Sequence, residues 1–551
     1  MGFVLRRSLP SLTGLVGLLL AVGVAAVVFA GAPVWFPAAF AIAMLLVQYV
    51  VNPWIVEWLV PAHVIEHDGE RYLTDHVVGE IVARRCREAG IPLVRLGIVD
   101  DGTPNAFTFG RRRGDARIWL TRGLFERLDE AELDAVVTHE IGHIKHLDFV
   151  VMTVAAVIPM VLYLTYILMR GQRGQAQAVA LGAFVAYLVS SFTILALSRA
   201  RELAADHWSC RCTGNGDALA SALVKIAYGM GKADAELRNE AAALRAQGAK
   251  GKVKAAKVER HARRAQSMRA MGIFEPRTAD AMATAFAHGI DPNRALAAMR
   301  WDSANPWARL LEKLSTHPLV AHRIQELDES GLPGRPTTWS VLRSEAAAVS
   351  RPERAALRVR FTRELAVSVA PWIILLSMLF AGAFTSSLPV TGTALLAAGA
   401  LLLWKQSIRY PDRFEPVESV TGLLDRLDAG PVAGIPVLLH GRVMGRGMPG
   451  YVLSPDLVVE DAGGFVPVLY RQPIPFAGQL FGLLRARAFL GQEVSVQGWY
   501  RRGPQPSVEL KCVYAADGRR ARAGMWIAHW LGSALVLAAG GAVLMLGLGQ
   551  G

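Results

Sequence analysis

Long apolar runs alternate with charged segments along this chain, and this alternation is its dominant pattern. Seven runs are apolar enough to be candidate membrane spans, since a helix needs roughly 20 residues to cross a bilayer. They lie at residues 21–32 together with the run before them, 34–51, 150–169, 178–197, 365–384, 390–404 and 526–548. The pattern predicts an α-helical polytopic membrane protein.

The first run has a second interpretation, as a signal peptide. Arg6 and Arg7 precede it, and Ala30-Gly31-Ala32 resembles a small-residue cleavage site. The length of the apolar stretch and the proline that follows the site favour an anchor that is retained. The first two runs are then expected to form a membrane hairpin.

The segment between the second and third runs shows the periodicities of a small folded unit. A helix is predicted at 73–89, with Thr74 or Asp75 as its cap and Gly90 past its end. Turn residues then separate three predicted strands, at 93–99, 105–109 and 116–120. A second helix is predicted at 129–147, since Asp129 and Glu132 have the spacing of a capping box and apolar residues follow at helical intervals.

The later polar segments differ from one another in pattern. Residues 213–310 are mostly Ala-rich and helical, and 246–269 are crowded with Lys and Arg, which indicates an exposed charged helix or insertion rather than a dedicated lipid or partner site. Residues 413–522 alternate apolar and polar positions with frequent Gly and Pro. Strands are predicted there at 434–441, 451–460, 466–470, 493–500 and 507–513, which favours a small antiparallel barrel or sandwich.

These patterns predict eight successive segments. They are a transmembrane hairpin at 1–62, the first part of a catalytic domain at 63–148, a second hairpin at 149–197, the second part of the catalytic domain at 198–340, a linker at 341–364, a third hairpin at 365–410, a β-rich accessory domain at 411–523 and a last transmembrane helix at 524–551.

Composition and charge agree with a membrane protein. Apolar residues make up 52% of the 551 residues, and the net charge of +13 is concentrated at 63–148, 198–364 and 405–523. Because Lys and Arg are retained on the cytoplasmic side, these segments are expected in the cytoplasm of a protein of the inner cell membrane, with only Arg170 and Arg173 opposing that topology. This topology and the anionic lipids of the membrane explain the excess of basic residues, so no nucleic acid is expected as a partner.

The four cysteines form no disulfide framework, which suits a reducing compartment. A second metal site at Cys210 and Cys212, close to His207, is the alternative interpretation. No matching pair follows in the sequence, so it is disfavoured.

The chemistry of the chain centres on His139-Glu140-Ile141-Gly142-His143. Residues four apart lie on the same face of a helix, so the two imidazoles can aim at one metal ion with Glu140 beside it. Two buried histidines with ordinary partners are the alternative. A catalytic zinc usually has three protein ligands and an open position for water, so a third ligand must come from elsewhere.

Glu202 is the candidate third ligand, and Asp206, one helical turn later, is expected to accept a hydrogen bond from a ligating histidine. Taken alone, such an acidic pair is more often a solvated helix face. His317 precedes a proline and is most simply a loop residue, although in a hydrolase it could donate a hydrogen bond to an oxyanion.

Four motifs in order resemble the HtpX-type membrane metallopeptidases, relatives of the type I CAAX prenyl endopeptidase. The resemblance covers roughly residues 1–330 and rests on His139 to His143, residues 198–206, Pro104-Asn105-Ala106-Phe107 and Ser315-Thr316-His317-Pro318. The basic insertion, the extra hairpin and the β-rich domain depart from the compact family pattern.

This resemblance implies a mainly α zincin-type (α+β) catalytic domain and a zinc endopeptidase of the gluzincin type. One Zn²⁺ per chain would be held by His139, His143 and Glu202, with Glu140 as base and Asp206 behind the ligands. The strand at Asn105, Ala106 and Phe107 would border the cleft, and His317 would lie near it.

The function expected is therefore hydrolysis of membrane or misfolded proteins in quality control, at the cytoplasmic face. A dedicated processing protease for one substrate tail, lipidated or not, is the alternative from the same class, and an inactive membrane scaffold is the alternative from another. The expected partners are unfolded or membrane protein substrates and the lipid bilayer, and an oligomer is left open.

Overall fold

The computed structural model describes residues 35–227, 299–330, 349–385, 387–417, 419–446, 454–461, 464–503 and 506–549. The predicted first span, the signal-peptide alternative and the basic segment at 246–269 fall outside these residues. The chain divides into two compact units. The described residues of the first unit are 35–227 and 310–330, and those of the second are 299–309 and 349–549.

The elements of the described residues are numbered here in chain order. The helices are α1 (Phe36–Leu59), α2 (Val77–Ala89), α3 (Arg122–Phe125), α4 (Glu130–Lys145), α5 (Asp148–Met169), α6 (Gln175–Thr213), α7 (Pro306–Lys313), α8 (Val320–Ser330), α9 (Arg351–Thr385), α10 (Leu388–Arg409), α11 (Val420–Leu424), α12 (Pro475–Leu484) and α13 (Met525–Leu548). The strands are β1 (His63–Ile65), β2 (Arg95–Val99), β3 (Ala106–Phe109), β4 (Arg117–Thr121), β5 (Glu415–Pro416), β6 (Ile435–Arg446), β7 (Leu457–Glu460), β8 (Phe465–Leu469), β9 (Glu493–Arg501), β10 (Ser507–Ala515) and β11 (Arg520–Arg522).

The first unit contains a four-stranded mixed sheet in the order β1-β2-β4-β3. Strands β2 and β4 are parallel, β1 is antiparallel to β2, and β3 is antiparallel to β4 at the edge of the sheet. The three predicted strands are confirmed, whereas β1 was not predicted. Because Val56 of α1 and Val60 just after it pack against Phe107, Phe109 and Trp119, the sheet is held against the end of that helix.

The predicted cap is confirmed at helix α4 and was wrong at helix α2. Asp129 accepts a hydrogen bond from the Glu132 N–H at 2.9 Å, and Glu132 accepts one from the Asp129 N–H at 3.0 Å, so the predicted capping box is confirmed. The prediction for α2 was wrong at its start. The cap is His76, whose ring nitrogen accepts from the Val78 N–H at 3.2 Å, and Thr74 accepts from the His76 N–H instead.

Five helices of the described residues are long and apolar enough to cross a membrane. They are Asp148–Met169, Ala176–Thr213, Arg351–Met378, Leu388–Arg409 and Met525–Leu548, and they confirm five of the predicted spans. The span predicted at 34–51 overlaps α1, which is not among the five, so it stays a prediction. The protein is thus a multi-pass, mostly helical membrane protein.

The second unit joins membrane helices to a barrel-like sheet. Pairings β6-β7, β7-β8, β8-β10, β10-β9 and β9-β6 close a ring of five strands, to which β5 and β11 add short edges. The predicted small barrel is confirmed, but it is not wholly antiparallel, since β8 runs parallel to β10. Helices α10 and α13 pack closely where Gly399 and Gly540 leave room for the facing backbone.

Two predicted boundaries differ from the structure. Residues 351–364, predicted as linker, are the first turns of α9. Ser350 begins that helix by accepting from the Glu353 N–H at 3.3 Å, and the Ser-Arg-Pro-Glu sequence is a capping signal in its own right. Residues 299–309, predicted within the catalytic domain, belong to the second unit, where Trp301 donates to the Ala429 carbonyl at 2.7 Å. The remaining domain boundaries stay predictions.

Candidate metal centre

Helix α4 brings two imidazoles face to face. His139 and His143 occupy its buried side, their rings are perpendicular with centroids 4.7 Å apart, and their Nε2 atoms are 3.1 Å apart. Both side chains are withdrawn from solvent, His139 completely. Two ring nitrogens are therefore directed at one small buried volume.

Helix α6 carries the third group to this volume. The carboxylate of Glu202 lies 3.7 Å from Nε2 of His139 and 3.7 Å from Nε2 of His143. Within the described part of the chain, these three side chains are the one set of His, Cys, Asp or Glu that could hold a metal ion. Cys210, Cys212 and His207 do not join such a set there.

Each histidine is fixed through its other ring nitrogen. Nδ1 of His139 lies 2.8 Å from Asp206, and Nδ1 of His143 lies 2.5 Å from Asp148. A neutral imidazole that donates from Nδ1 has its lone pair on Nε2. Both Nε2 lone pairs then point toward each other, which is unfavourable unless a metal ion or a proton lies between them.

The spacing of the donor atoms fits a metal ion. Two ligands of a tetrahedral zinc at about 2.0–2.1 Å are about 3.3 Å apart. The observed separations of 3.1 Å between nitrogens and 3.7 Å to oxygen bracket that value. The donor set also has the composition of a catalytic zinc site, with nitrogen and oxygen ligands and three protein groups.

Two arginines hold the carboxylates behind the histidines. Arg323 of α8 donates two hydrogen bonds to Asp206, from Nε at 2.8 Å and from an Nη at 2.6 Å, and both side chains are fully buried. Arg201 lies 3.1 Å from Asp148. A buried carboxylate needs such a partner, because an unpaired buried charge is strongly destabilising.

A strained turn aims Asp148 at the site. Leu147, between α4 and α5, has φ +57° and is the one non-glycine residue with positive φ among the described residues. This left-handed conformation costs about 1–2 kcal/mol for an L-residue. It ends the helix of the histidines and turns the chain so that the next residue reaches back to His143.

Glu140 lies beside the two histidines on α4 and is almost fully buried. Burial raises the pKa of its carboxyl group, although the nearby histidines oppose this shift. A hydrogen bond from Thr108 of strand β3 also opposes this shift and lowers the pKa of Glu140. A carboxylate with a raised pKa accepts and returns a proton more readily near neutral pH.

The carboxylates around His143 make the site favourable for positive charge. Burial by itself would lower the pKa of this imidazole, but Glu202 and Asp148 outweigh it and the pKa is raised. The same electrostatic environment would stabilise a bound cation.

The other predicted site residues are placed as follows. His317 is partly exposed, and its Nδ1 lies 3.3 Å from Glu202, so this side chain does border the metal centre. Edge strand β3 begins with Ala106 and Phe107, directly after Asn105, and contacts α4. All three are buried, while Thr108 on the same strand is partly open. The roles of these residues stay predictions.

Sequence reasoning assigned no role to four residues that surround the site, which are Asp148, Arg201, Arg323 and Thr108. An acidic residue five positions after His143 was visible, but its direction depends on the turn at Leu147. Arg323 is 117 residues from Asp206 along the chain. Only packing of α8 on α6 reveals that pair.

A multi-pass membrane protein with this buried His, His and Glu group has the features of a membrane metallopeptidase. Comparison with known proteins agrees. The model of Peptidase family M48 matches residues 73–330. A protease HtpX homolog of Methanothermobacter thermautotrophicus is 37% identical over 197 residues, covering 36% of this chain and 74% of that protein. Protease HtpX homolog 2 of Methanosarcina acetivorans is 35% identical over 218 residues, covering 38% and 72%.

The chain belongs to peptidase family M48, as an HtpX-like member. The family match ends at residue 330, so the β-rich part of the second unit lies beyond it. The crystal structure of S. mikatae Ste24p is also similar, with 14% identity, a TM-score of 0.32 and coverage of 58% of this chain and 63% of that one. That likeness is too low to support an argument.

Proposed function

We propose that this protein is a zinc-dependent endopeptidase that cleaves unfolded or membrane proteins at the cytoplasmic face of the inner membrane. One zinc ion would be held by His139, His143 and Glu202. The observation that carries this proposal is the pair of Nε2 atoms 3.1 Å apart, each on a ring whose Nδ1 faces a carboxylate. A metal ion between the rings would satisfy both Nε2 lone pairs at once.

When bound, zinc supplies a water of lowered pKa and polarises the scissile carbonyl. Glu140 accepts the proton of the attacking water and then delivers it to the leaving amine. The raised pKa of Glu140 suits both transfers, since the ideal pKa of a general base lies near the working pH.

His317 is proposed to act on the substrate side of the site. Its Nδ1 faces Glu202 at 3.3 Å, which leaves Nε2 for the substrate. From Nε2, His317 would donate a hydrogen bond to the developing oxyanion.

The substrate is proposed to pair with the edge of strand β3. This strand pairs with β4 on one side, so its other side can accept an extended peptide by β-strand addition. Thr108 is partly open, whereas the three preceding residues, Asn105, Ala106 and Phe107, are buried. We therefore expect a substrate peptide to reach the edge of the strand at Thr108. A peptide must be extended to bind in this way, which favours unfolded or locally frayed substrates.

The proposed site lies close to the membrane surface. Helix α6 is continuous over 39 residues, about 58 Å at 1.5 Å per residue, and so exceeds the roughly 30 Å of the hydrocarbon core. Glu202 lies on the part of α6 that follows the predicted span at 178–197, and α4 leads into α5 through a single turn. The distribution of Lys and Arg supports a cytoplasmic location. Such a site could reach damaged membrane proteins.

The experiment is metal analysis paired with casein proteolysis, on purified full-length protein and on the Glu140→Gln variant. We expect about one zinc per chain in both proteins and a loss of turnover of about 10²–10⁴-fold in the variant. Glu126→Gln, at an exposed glutamate of the same unit, is the matched control and should be fully active. Full activity of Glu140→Gln, or wild-type activity without bound metal, would refute the proposal.

Product profiling separates quality control from dedicated processing. Scattered cleavage of many unrelated unfolded proteins is expected. Cleavage of one substrate at one position would favour the processing protease instead.

A further inference from the structure

Helix α12 in the second unit exposes an unusually apolar face. Phe481 anchors this helix by stacking on Tyr470, with ring centroids 3.9 Å apart. The opposite side and the residue before the helix carry large apolar side chains open to the surroundings, with Phe476 75% exposed. The exposed set is Ile474, Phe476, Leu480, Leu483 and Leu484. In water such a face is costly, whereas at a bilayer surface it is stabilising.

The segment leading into α12 is tied to the start of the last membrane span. The carbonyl of Arg471 accepts hydrogen bonds from the N–H groups of Gly524 and Met525, both at 3.2 Å. The amide of Gln472 donates to the Arg522 carbonyl at 3.0 Å. Since α13 begins at Met525, the apolar face starts where that helix enters the membrane.

A basic pocket of about 500 Å³ lies beside α12 and is lined in part by Phe481 and Arg485. Its lining includes Arg485, Arg520, Arg522 and Lys511, and none of the lining residues is acidic. Lys511 is paired with Asp412 at 2.9 Å. The three arginines are exposed, and none forms an ion pair with a carboxylate of the described residues.

We propose that this surface binds an anionic phospholipid, with its phosphate in the basic pocket and its acyl chains along the apolar face of α12. Arginine matches phosphate because its guanidinium donates two parallel hydrogen bonds. The guanidinium of Arg522 lies 5.4 Å from the ring centroid of Trp526 in α13, which places positive charge at the membrane boundary. Apolar face, cationic pocket and membrane entry thus adjoin one another.

The occupant is a lipid rather than an acidic peptide because of the apolar face. A peptide with carboxylates would satisfy the arginines but would leave Phe476, Leu480 and Leu484 exposed to water. A phospholipid satisfies both parts. The α12 surface would then hold the barrel against the bilayer.

The first test measures lipid binding by native mass spectrometry, on full-length protein in an uncharged detergent. Phosphatidylglycerol, phosphatidylcholine and soluble glycerol 3-phosphate are the probes. The Arg485→Gln/Arg520→Gln variant should bind phosphatidylglycerol at least about tenfold more weakly. Each basic residue near an anionic surface increases the binding affinity about fivefold. Phosphatidylcholine binding by the variant should not change.

Arg413→Gln/Arg442→Gln is the matched control, because it removes the same charge from exposed positions outside the pocket. It should change phosphatidylglycerol binding by less than twofold. Equal effects of the two variants, equal affinity for both lipids, or equally tight binding of glycerol 3-phosphate would each overturn the lipid site. Displacement of phosphatidylglycerol by a poly-glutamate peptide at equal concentration would favour the peptide and also overturn it.

The second test does not depend on arginine variants that could fold poorly. A bimane label on Leu480→Cys, in full-length protein reconstituted in phosphatidylglycerol nanodiscs, should be quenched by lipids that carry a nitroxide near the headgroup. The same label on Glu493→Cys, at an exposed position of β9, should not be quenched. Equal quenching at both positions, or none at Leu480→Cys, would refute the contact of α12 with the membrane.

Discussion

At the scale of single residues, the candidate metal centre depends on groups that do not touch the metal. His139 and His143 are directed by Asp206 and Asp148, which in turn are held by Arg323 and Arg201. Such partners fix the tautomer and the orientation of a ligating imidazole. Removing one should weaken metal binding without removing a ligand.

Asp148→Asn is therefore expected to lower zinc affinity by about 10–100-fold, since the amide accepts from Nδ1 more weakly and no longer pairs with Arg201. Competition against a fluorescent zinc chelator measures the change without depending on activity. Asp100→Asn, at a highly exposed aspartate of the same unit, should leave the affinity unchanged. An affinity of Asp148→Asn within twofold of wild type would contradict the positioning role.

At the scale of elements, the site is formed where α4 crosses α6. Gly142 faces Ala205 and Trp208, and a Cβ built on this glycine would lie 3.2 Å from the Ala205 Cα and 3.1 Å from a ring carbon of Trp208. The hydroxyl of Ser209 also donates to the Ala135 carbonyl at 2.6 Å. Small residues thus allow both helices to present donors to one point.

Gly142→Val should push the two helices apart and cost about 1–3 kcal/mol of unfolding free energy, the usual range for overpacking. Zinc affinity should fall as well, because Glu202 moves away from the histidines. Thermal unfolding and zinc competition measure the two effects. Gly182→Val on α6 is the control, since nothing lies within 4 Å of a Cβ there. If Gly142→Val changes stability and zinc affinity no more than Gly182→Val does, the close contact of α4 and α6 at Gly142 is contradicted.

At the scale of the whole molecule, the proposed metal ligands belong to one of two compact units. All three lie in the first unit, while the barrel and α9, α10 and α13 belong to the second. A metal held by these ligands would join α4 to α6 within the first unit. Its contribution to stability should therefore be confined to that unit.

Removal of metal with a chelator should increase amide hydrogen exchange in α4 and in residues 198–213, and leave strands β6, β9 and β10 unchanged. Bound metal stabilises only the structure that contains its ligands, by an amount that grows with the ratio of free metal to Kd. Hydrogen exchange followed by mass spectrometry measures this by segment, and added zinc should restore protection. A uniform rise in exchange over both units would contradict this separation.

Much of the fold could be predicted from sequence because the signals are local. Apolar runs, the capping box at Asp129 and the alternation in the β-rich part depend on neighbours a few residues apart. The apolar runs did not predict the ends of α6 and α9, because these helices continue through polar residues and no helix-breaking residue marks the edge of the membrane. Strands β1, β5 and β11 are too short to show a pattern.

The sequence by itself determined the pair His139 and His143, the adjacent Glu140 and the spacing of Glu202 and Asp206, because helical geometry places residues four apart on one face. Only the tertiary structure decided that these two helices meet, that Leu147 turns Asp148 onto His143, and that Arg323 reaches Asp206. The closure of the barrel and the contact of the α12 segment with the last span were decided in the same way. The reason is physical: periodicity is a property of adjacent residues, whereas burial and long-range pairing depend on how distant segments pack together.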